Sequence, residues 1–307
     1  MKRFKNILVS LDTRLEDHPI LRRAAALAKL NDAKLKVVEI IPEIDTSIEL
    51  PDHYGDIQAS FVDDKQKGLE DLIAPFRKDG VQIESKLLVG RTSHQIIREI
   101  LLDNHDLVMQ VAKGKGSRRK GYFGATAMRL LRYCPCAVWL STPSKEILNE
   151  HVLACVSNSD DSAHQELNQR IMELAASVCD LEQCKLSVLR AWSIWNEGML
   201  RSRSPKKDME WIEAESRKTE DDSFNKFLEK FGLNVTSENV HLVKGQPDEV
   251  ISGFIQENNV DLVVLGTVAR AGLSGYFMGN TAESVLDRIA CSVLALKPAG
   301  FKTKYKV

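Results

Sequence analysis

The sequence has few of the features that mark specialised classes of protein. Aromatic residues make up only 6% of the 307 residues, and 42 basic and 43 acidic side chains leave a formal net charge of −1. No apolar run approaches the roughly 20 residues that a membrane-spanning helix needs. The balanced charge gives no reason to expect nucleic-acid binding. We therefore expect a globular protein whose partners include neither nucleic acid nor membrane.

Residue patterns typical of catalysis, metal binding and secretion are also missing. The spacing of the six cysteines fits no disulfide framework, and the seven histidines show no ligand spacing. There is no serine elbow, no Walker lysine and no paired-carboxylate motif. The N-terminus passes directly into a strand-like run and does not resemble a signal peptide. We expect a cytoplasmic protein that is not an enzyme, with no metal site and with buried cysteines.

What the chain does contain is a regular alternation of short apolar runs and helical patterns. Alternation of this kind predicts a parallel sheet with helices on both faces, and right-handed crossovers make the sheet doubly wound. In such folds, ligands bind beyond the carboxyl ends of the strands. The segments predicted in the first half are strands at 5–11, 34–41, 81–89 and 107–111, and helices at 19–30, 63–78 and 92–102.

The second half repeats the first. Asp106-Leu107-Val108 recurs as Asp261-Leu262-Val263, and Gly124 recurs as Gly279 at the same offset. Several features that share one offset indicate a duplication. We therefore predict two tandem α/β domains with five-stranded, doubly wound parallel sheets, at residues 1–144 and 145–307. The segment 196–223 is predicted to be an exposed, charged helix, and the tail after Pro298 a mobile extension.

A loop that starts at Gly266 and ends at Gly279 leads into a predicted helix at Asn280 and Thr281. A glycine-rich loop before a helix N-terminus suits an anion, because free backbone N–H groups point outward there. Two interpretations stay open. The glycines could let a phosphate approach the backbone, or they could serve a tight turn followed by an ordinary helix cap.

These residues resemble the universal stress protein family in its tandem, two-domain form, and the E-type branch most closely. Nucleotide-binding members carry G-x2-G-x9-G-(S/T) after the fourth strand and an Asp at the end of the first. The resemblance implies that the protein binds ATP or AMP. In the second half it points to Gly266, Thr267, Ala269, Gly279, Asn280 and Thr281, and in the first to Asp12, Gly114 and Gly124.

Neither half keeps the full pattern. Ala269 replaces the second glycine and Asn280 the hydroxyl residue, while Ser157 or Asn158 stands where the second half would carry the Asp. In the first half Val111 replaces the first glycine. Asp12 there either contacts adenine or ribose, or caps the loop that follows it.

The resemblance therefore favours a stress-response protein that binds an adenine nucleotide, or another small anionic ligand, in its C-terminal domain. A nucleotide-free scaffold or small-molecule-binding signalling protein, acting through protein partners, is the alternative, and slow ATP hydrolysis is a weaker one. Family members dimerise through their last strand. We accordingly expect a pseudo-dimer within one chain, with strand 137–140 against strand 292–296, and further dimerisation stays open.

Overall fold

The computed structural model describes residues 4–15, 17–43, 54–113, 122–142, 149–159, 161–268 and 278–306. Strands and helices alternate through most of these ranges. The strands are β1 (Asn6–Leu11), β2 (Lys34–Ile41), β3 (Ile83–Val89), β4 (Leu107–Val111), β5 (Ala137–Ser141), β6 (His151–Cys155), β7 (Lys185–Trp192), β8 (Val240–Lys244), β9 (Leu262–Gly266) and β10 (Ser292–Leu296).

The helices follow the expected signals at their ends. Pro19 and Pro247 stand in the first turn of their helices, where the missing N–H costs nothing, and Asp32 ends its helix with a left-handed φ of 52°. The helices are α1 (Pro19–Asn31), α2 (Tyr54–Lys78), α3 (Thr92–Asp103), α4 (Ala125–Tyr133), α5 (Ser162–Glu182), α6 (Glu197–Arg203), α7 (Lys206–Leu228), α8 (Pro247–Glu257) and α9 (Asn280–Arg288), with a short 3-10 helix at Glu229–Phe231.

The chain divides into two compact units. The first contains β1 to β5 with α1 to α4, together with β10 and the C-terminal tail. Its strands follow the order β3-β2-β1-β4-β5-β10. All of these pairings are parallel except the last, in which β10 runs antiparallel to β5 with Leu294 opposite Trp139. The expected pairing between 137–140 and 292–296 is therefore present.

The second unit contains β6 to β9 with α5 to α9. Its strands follow the order β9-β6-β7-β8, and all of their pairings are parallel. The central strands are buried along nearly their whole length, as in a sheet covered on both faces. The predicted doubly wound α/β fold is confirmed, although β10, the last strand of the second repeat in sequence, belongs to the first unit.

Equivalent backbone bonds show how closely the two units correspond. Asp106 N–H donates to Asn6 O over 3.0 Å, and Asp261 N–H donates to His151 O over 2.9 Å. Gly90 N–H and Gly245 N–H likewise bond to the ends of β2 and β7, over 2.9 and 2.8 Å. Because bonds between distant segments recur in the same places, the duplication inferred from the sequence is also present in the fold.

The C-terminal tail differs from the prediction. The Tyr305 ring lies 4.6 Å from His94 and 5.9 Å from Tyr133, and Lys304 Nζ lies 3.9 Å from the centre of the Tyr133 ring. The prediction of a mobile extension was wrong because it considered periodicity alone, whereas single aromatic and cationic side chains hold this segment.

Candidate functional site

The candidate site lies where β9 ends and α9 begins. Gly266 is the last residue of β9, and Thr267 is fully buried behind it. Gly279 N–H donates to Thr267 O over 2.9 Å, which closes the intervening loop at its base. Gly279 is the N-cap of α9, and among the described residues no side-chain hydrogen bond caps this helix. The first backbone N–H groups of the helix, including those of the exposed Asn280 and Thr281, are therefore available to an anion.

The first unit repeats this arrangement. Gly124 N–H donates to Ala112 O over 2.8 Å, and Gly124 is the N-cap of α4, also without a capping side chain. Gly124 and Gly279 have φ values of −69° and −65°, which any L-residue adopts. The backbone conformation therefore does not require glycine at either position. The predicted residues Ala269 and Gly114 lie outside the described residues.

Gly266 has a structural explanation of its own. A Cβ atom at this position would lie 2.7 Å from Leu167 Cδ2, closer than van der Waals contact allows. Leu167 is a buried residue of α5. The glycine therefore permits the close approach of α5 to the end of β9, and this packing role holds whether or not a ligand binds.

A cavity of about 750 Å³ opens at the carboxyl ends of β6, β7 and β9. Four of the predicted residues line it, namely Gly266, Thr267, Gly279 and Thr281. Apolar walls come from α5, α8 and β7, and polar groups come from the loop after β6 and from α7. This combination of apolar walls with a few polar groups is typical of a small-molecule site.

Ser157 occupies the position that Asp12 holds in the first unit, because Val152 pairs with Leu262 as Ile7 pairs with Leu107. Its backbone is bound by Asn168, whose Oδ1 accepts from Ser157 N over 3.0 Å and whose Nδ2 donates to Ser157 O over 2.7 Å. Asn168 is buried and also lines the cavity. The carboxylate of the family pattern is thus replaced here by a neutral, internally bonded pair.

Arg190 and Glu220 form an unusual polar feature beside this cavity. Arg190 is 3% exposed and its guanidinium lies 4.3 Å from the ring of Phe224 on α7. Burial lowers the pKa of Arg190 to about 10, and attraction to Glu220 acts in the opposite sense. At neutral pH the second unit therefore holds a buried cation beneath α7.

In the first unit, a cavity of about 630 Å³ is lined by Asp12 and Gly124 among other residues. The backbone N–H of Arg14 donates to Asp12 Oδ1 over 3.1 Å, and its guanidinium donates to both carboxylate oxygens over 2.7 and 2.6 Å. The hydrogen bond from the Arg14 side chain holds the pKa of Asp12 below its ordinary value despite partial burial. These bonds agree with the alternative that Asp12 orders the loop that follows it.

The structure adds site residues that sequence patterns did not indicate. Asn168, Trp192 and Glu220 all line the second cavity, and they come from α5, β7 and α7. A charged residue inside the apolar strand KLSVLRAW was the only available signal for Arg190.

Across the described ranges no helix is both long and apolar enough to cross a membrane. Within the same ranges, no cluster of three His, Cys, Asp or Glu residues is placed to hold a metal ion.

The fold and the two matching cavities define a protein built from two copies of one doubly wound α/β unit. The model of the universal stress protein family matches residues 3–141 and 149–297. The chain therefore belongs to the universal stress protein family, and this membership assigns it to the proteins of the stress response.

Relatives with the same two-domain length support this assignment. Universal stress protein E of Escherichia coli (strain K12) is 28% identical over 99% of this chain and 97% of its own length. The universal stress protein E homolog of Haemophilus influenzae is 25% identical over 97% of this chain and 98% of its own.

Solved structures show the same fold. A functionally unknown protein from Pseudomonas aeruginosa PAO1 matches with a TM-score of 0.73 and 25% identity, over 97% of this chain and 94% of that one. A universal stress protein from Archaeoglobus fulgidus DSM 4304 matches with a TM-score of 0.61 and 18% identity, over 96% and 97% of the two chains.

Proposed function

We propose that this stress protein binds an adenine nucleotide, ATP or AMP, in the cavity of its second unit. The observation that carries the proposal is that the uncapped N-terminus of α9 opens into the cavity through Gly279 and Thr281. A helix start of this kind offers free N–H groups and a favourable dipole to a phosphate. The cavity volume and its apolar walls suit a base and a sugar.

The second unit is the better candidate for this binding. In the first unit, Asp12 is engaged by Arg14, and Glu39 accepts hydrogen bonds from Thr13 and Lys65. Four of these five side chains, all except that of Thr13, line the first cavity. A nucleotide would have to displace or outcompete these bonds, whereas the neutral Ser157 stands at the position of Asp12 in the second unit.

Two measurements test the proposal. Purified protein is denatured and released nucleotides are identified by mass spectrometry. Separately, ATP and AMP are titrated into nucleotide-free protein while unfolding is followed. A ligand at a hundredfold excess over its Kd should stabilise the protein by about 2.7 kcal/mol.

Matched glycine variants locate the site. Gly279→Val places a branched side chain at the start of α9 and is expected to abolish nucleotide binding. Gly124→Val makes the same change at the equivalent N-cap of α4 and should leave binding intact. Equal loss in both variants, or no stabilisation of the parent protein at millimolar ATP and AMP, would overturn the proposal in favour of a nucleotide-free scaffold.

A further inference from the structure

Two cysteine side chains lie against each other where α4 passes into β5. The Sγ atoms of Cys134 and Cys136 are 3.4 Å apart, and only Pro135 separates the two residues in the chain. Cys134 is fully buried, Cys136 is partly exposed, and both are free thiols. A disulfide bond has a length of about 2.05 Å, so the two sulfur atoms need to approach each other by only roughly 1.3 Å to form one.

The second repeat shows that the fold does not require this pair of thiols. The backbone bond that ends α4 at Cys134 recurs at the end of α9, where Ile289 is the donor, over 2.9 and 3.1 Å. Ile289 therefore occupies the position of Cys134, and Cys291 that of Cys136. Both Cys134 and Ile289 are buried. An apolar side chain serves the packing in one repeat, so packing alone does not explain a second thiol in the other.

A buried lysine supplies positive charge beside the pair. The ammonium group of Lys297 donates to the backbone carbonyl of Leu131, three residues before Cys134. Burial lowers the pKa of Lys297 to about 8, and attraction to Cys134 acts in the opposite sense. At pH 7 the ammonium form therefore predominates. This attraction is mutual, because a lysine beside a cysteine favours the thiolate, which is the reactive form of the side chain.

The hydrogen bond between the two thiols assigns them different roles. Burial raises the pKa of Cys136, and its hydrogen bond with Cys134 raises it further. Cys136 therefore stays protonated at neutral pH and can donate its S–H group to Cys134. Cys134 lies between this donor and the ammonium group of Lys297, so it is the sulfur better placed to carry a negative charge and to act as the nucleophile.

We propose that Cys134 and Cys136 form a reversible disulfide in reaction with hydrogen peroxide. The Cys134 thiolate attacks one peroxide oxygen, the O–O bond breaks, and Cys134 becomes a sulfenic acid. The other oxygen leaves as hydroxide and takes up the proton that Cys134 had released. Cys136 then displaces the sulfenic hydroxyl group, which leaves as water with the proton of Cys136. Two thiols are thus oxidised, and one peroxide is reduced to two water molecules.

Burial selects the oxidant. Because Cys134 has no exposed surface and Cys136 only a little, a bulky oxidant such as glutathione disulfide does not reach the nucleophile, whereas peroxide has only two non-hydrogen atoms. Neither cysteine lines either of the two cavities described above. The disulfide is therefore independent of nucleotide binding, and either proposal can fail without the other.

The test follows one tryptic peptide. Cleavage after Arg132 and Lys145 gives the peptide 133–145, which contains both thiols and no other cysteine. The reduced full-length protein is treated with hydrogen peroxide at pH 7, remaining thiols are alkylated, and the digest is examined by mass spectrometry. The disulfide form of the peptide has lost two hydrogen atoms and carries no alkyl group. Dithiothreitol should make both thiols available for alkylation again.

Matched variants test the roles of the three side chains. Lys297→Met removes the ammonium group and should slow disulfide formation about tenfold, whereas Lys302→Met, at an exposed position in the same tail, should keep the parent rate. In Cys136→Ala the sulfenic acid of Cys134 has no partner and should be trapped when the oxidised protein is unfolded in dimedone. Cys134→Ala should give much less of this adduct at Cys136. Melting curves verify that each variant is folded.

Several results would overturn the proposal. The half-exposed Met199 reports that the oxidant was active. If Met199 becomes the sulfoxide in millimolar peroxide while peptide 133–145 keeps two alkylatable thiols, the pair is not a disulfide site. Sulfinic acid formed without loss of two hydrogen atoms would have the same meaning. Equal rates with glutathione disulfide and peroxide would refute the selection by burial, and a parent-like rate in Lys297→Met would refute the role of the ammonium group.

Discussion

Glu39 and Arg190 occupy the same position in the two units and carry opposite charges. Glu39 is the sixth residue of the eight-residue strand β2, and Arg190 is the sixth residue of the eight-residue strand β7. The first residue of each strand donates its backbone N–H to the equivalent carbonyl oxygen, which shows that the two strands correspond. Both side chains are buried. Glu39 is paired with Lys65 on α2, and Arg190 interacts with Glu220 on α7. The duplicated units thus both carry opposite charges on this strand and on the helix over it, with the signs exchanged between the units.

The pair in the first unit should contribute measurably to stability. Lys65 Nζ lies 3.0 Å from Glu39 Oε1, and the carboxylate is almost fully buried. Lys65→Met should lower the free energy of unfolding by about 3 kcal/mol, since it leaves a buried charge without its partner. Lys67→Met, at an exposed position on the same helix, is the control, and chemical denaturation measures both. Similar values for the two variants would contradict a specific role for the pair.

A second prediction concerns the close approach at Gly266. Gly266→Ala brings a methyl group to within 2.7 Å of Leu167 Cδ2 and should destabilise the protein by about 1–3 kcal/mol through overpacking. Leu167→Ala also destabilises the protein because it leaves a cavity, but the double variant should lose less than the sum of the two single losses, since the two side chains then no longer collide.

Gly253→Ala is the matched control for that experiment. Gly253 lies inside α8, and an added Cβ meets no atom within 4 Å. There the alanine should stabilise the protein by about 0.5–1 kcal/mol, because it restricts the unfolded chain and favours the helix. Thermal and chemical denaturation should therefore show shifts of opposite sign for the two glycines, and shifts of the same sign would refute the packing argument.

The fold could be predicted from the sequence because its signals are local and repeated. Apolar runs alternate with helical patterns, and residues such as Asp106 and Asp261 recur at one offset. In the structure these two carboxylates accept from matching backbone amides, those of Lys5 and Asn6 in one unit and of Glu150 and His151 in the other. Because these residues make the same backbone hydrogen bonds in both units, they recur in the sequence, and the duplication can be recognised from them.

The site could be predicted only in part, because its remaining residues converge through tertiary structure. The glycine motif indicated Gly266 and Gly279, which follow each other along the chain. Asn168 reaches the cavity because α5 has 21 residues and α1 only 13, and the additional turns lie at its N-terminal end. Trp192 and Glu220 come from two further elements. No spacing rule connects such residues before the helix lengths and the packing are known.

Asn168 gives a prediction about those additional turns. Its side chain satisfies the backbone N–H and C=O of Ser157, and it is 3% exposed. Asn168→Ala should lower the free energy of unfolding by about 2 kcal/mol, because two backbone groups lose their partner. Gln169→Ala, the exposed neighbour on the same helix, should cost far less. Equal costs, measured by urea denaturation, would indicate that water replaces the Asn168 bonds.

The last prediction follows from Lys297, just after β10. Its side chain is 4% exposed, and its ammonium group donates to the backbone carbonyl of Leu131. Burial lowers the pKa of Lys297 to about 8, against 10.5 for an unburied lysine. The folded state therefore prefers the neutral amine, and the cost of burying a charged lysine disappears as pH rises from about 8 towards 10.5.

Stability should consequently increase with pH over this window through Lys297. The contribution between pH 8 and pH 10 is about 2 kcal/mol, since each pKa unit corresponds to 1.36 kcal/mol. Lys297→Met keeps the length of the chain and cannot titrate, so its free energy of unfolding should fall relative to the parent protein on going from pH 8 to pH 10. Lys302→Met, at an exposed position in the same tail, should follow the parent at both pH values. Parallel pH profiles for the parent and Lys297→Met would show that Lys297 stays charged when buried, with its ammonium group fully compensated by its hydrogen bonds.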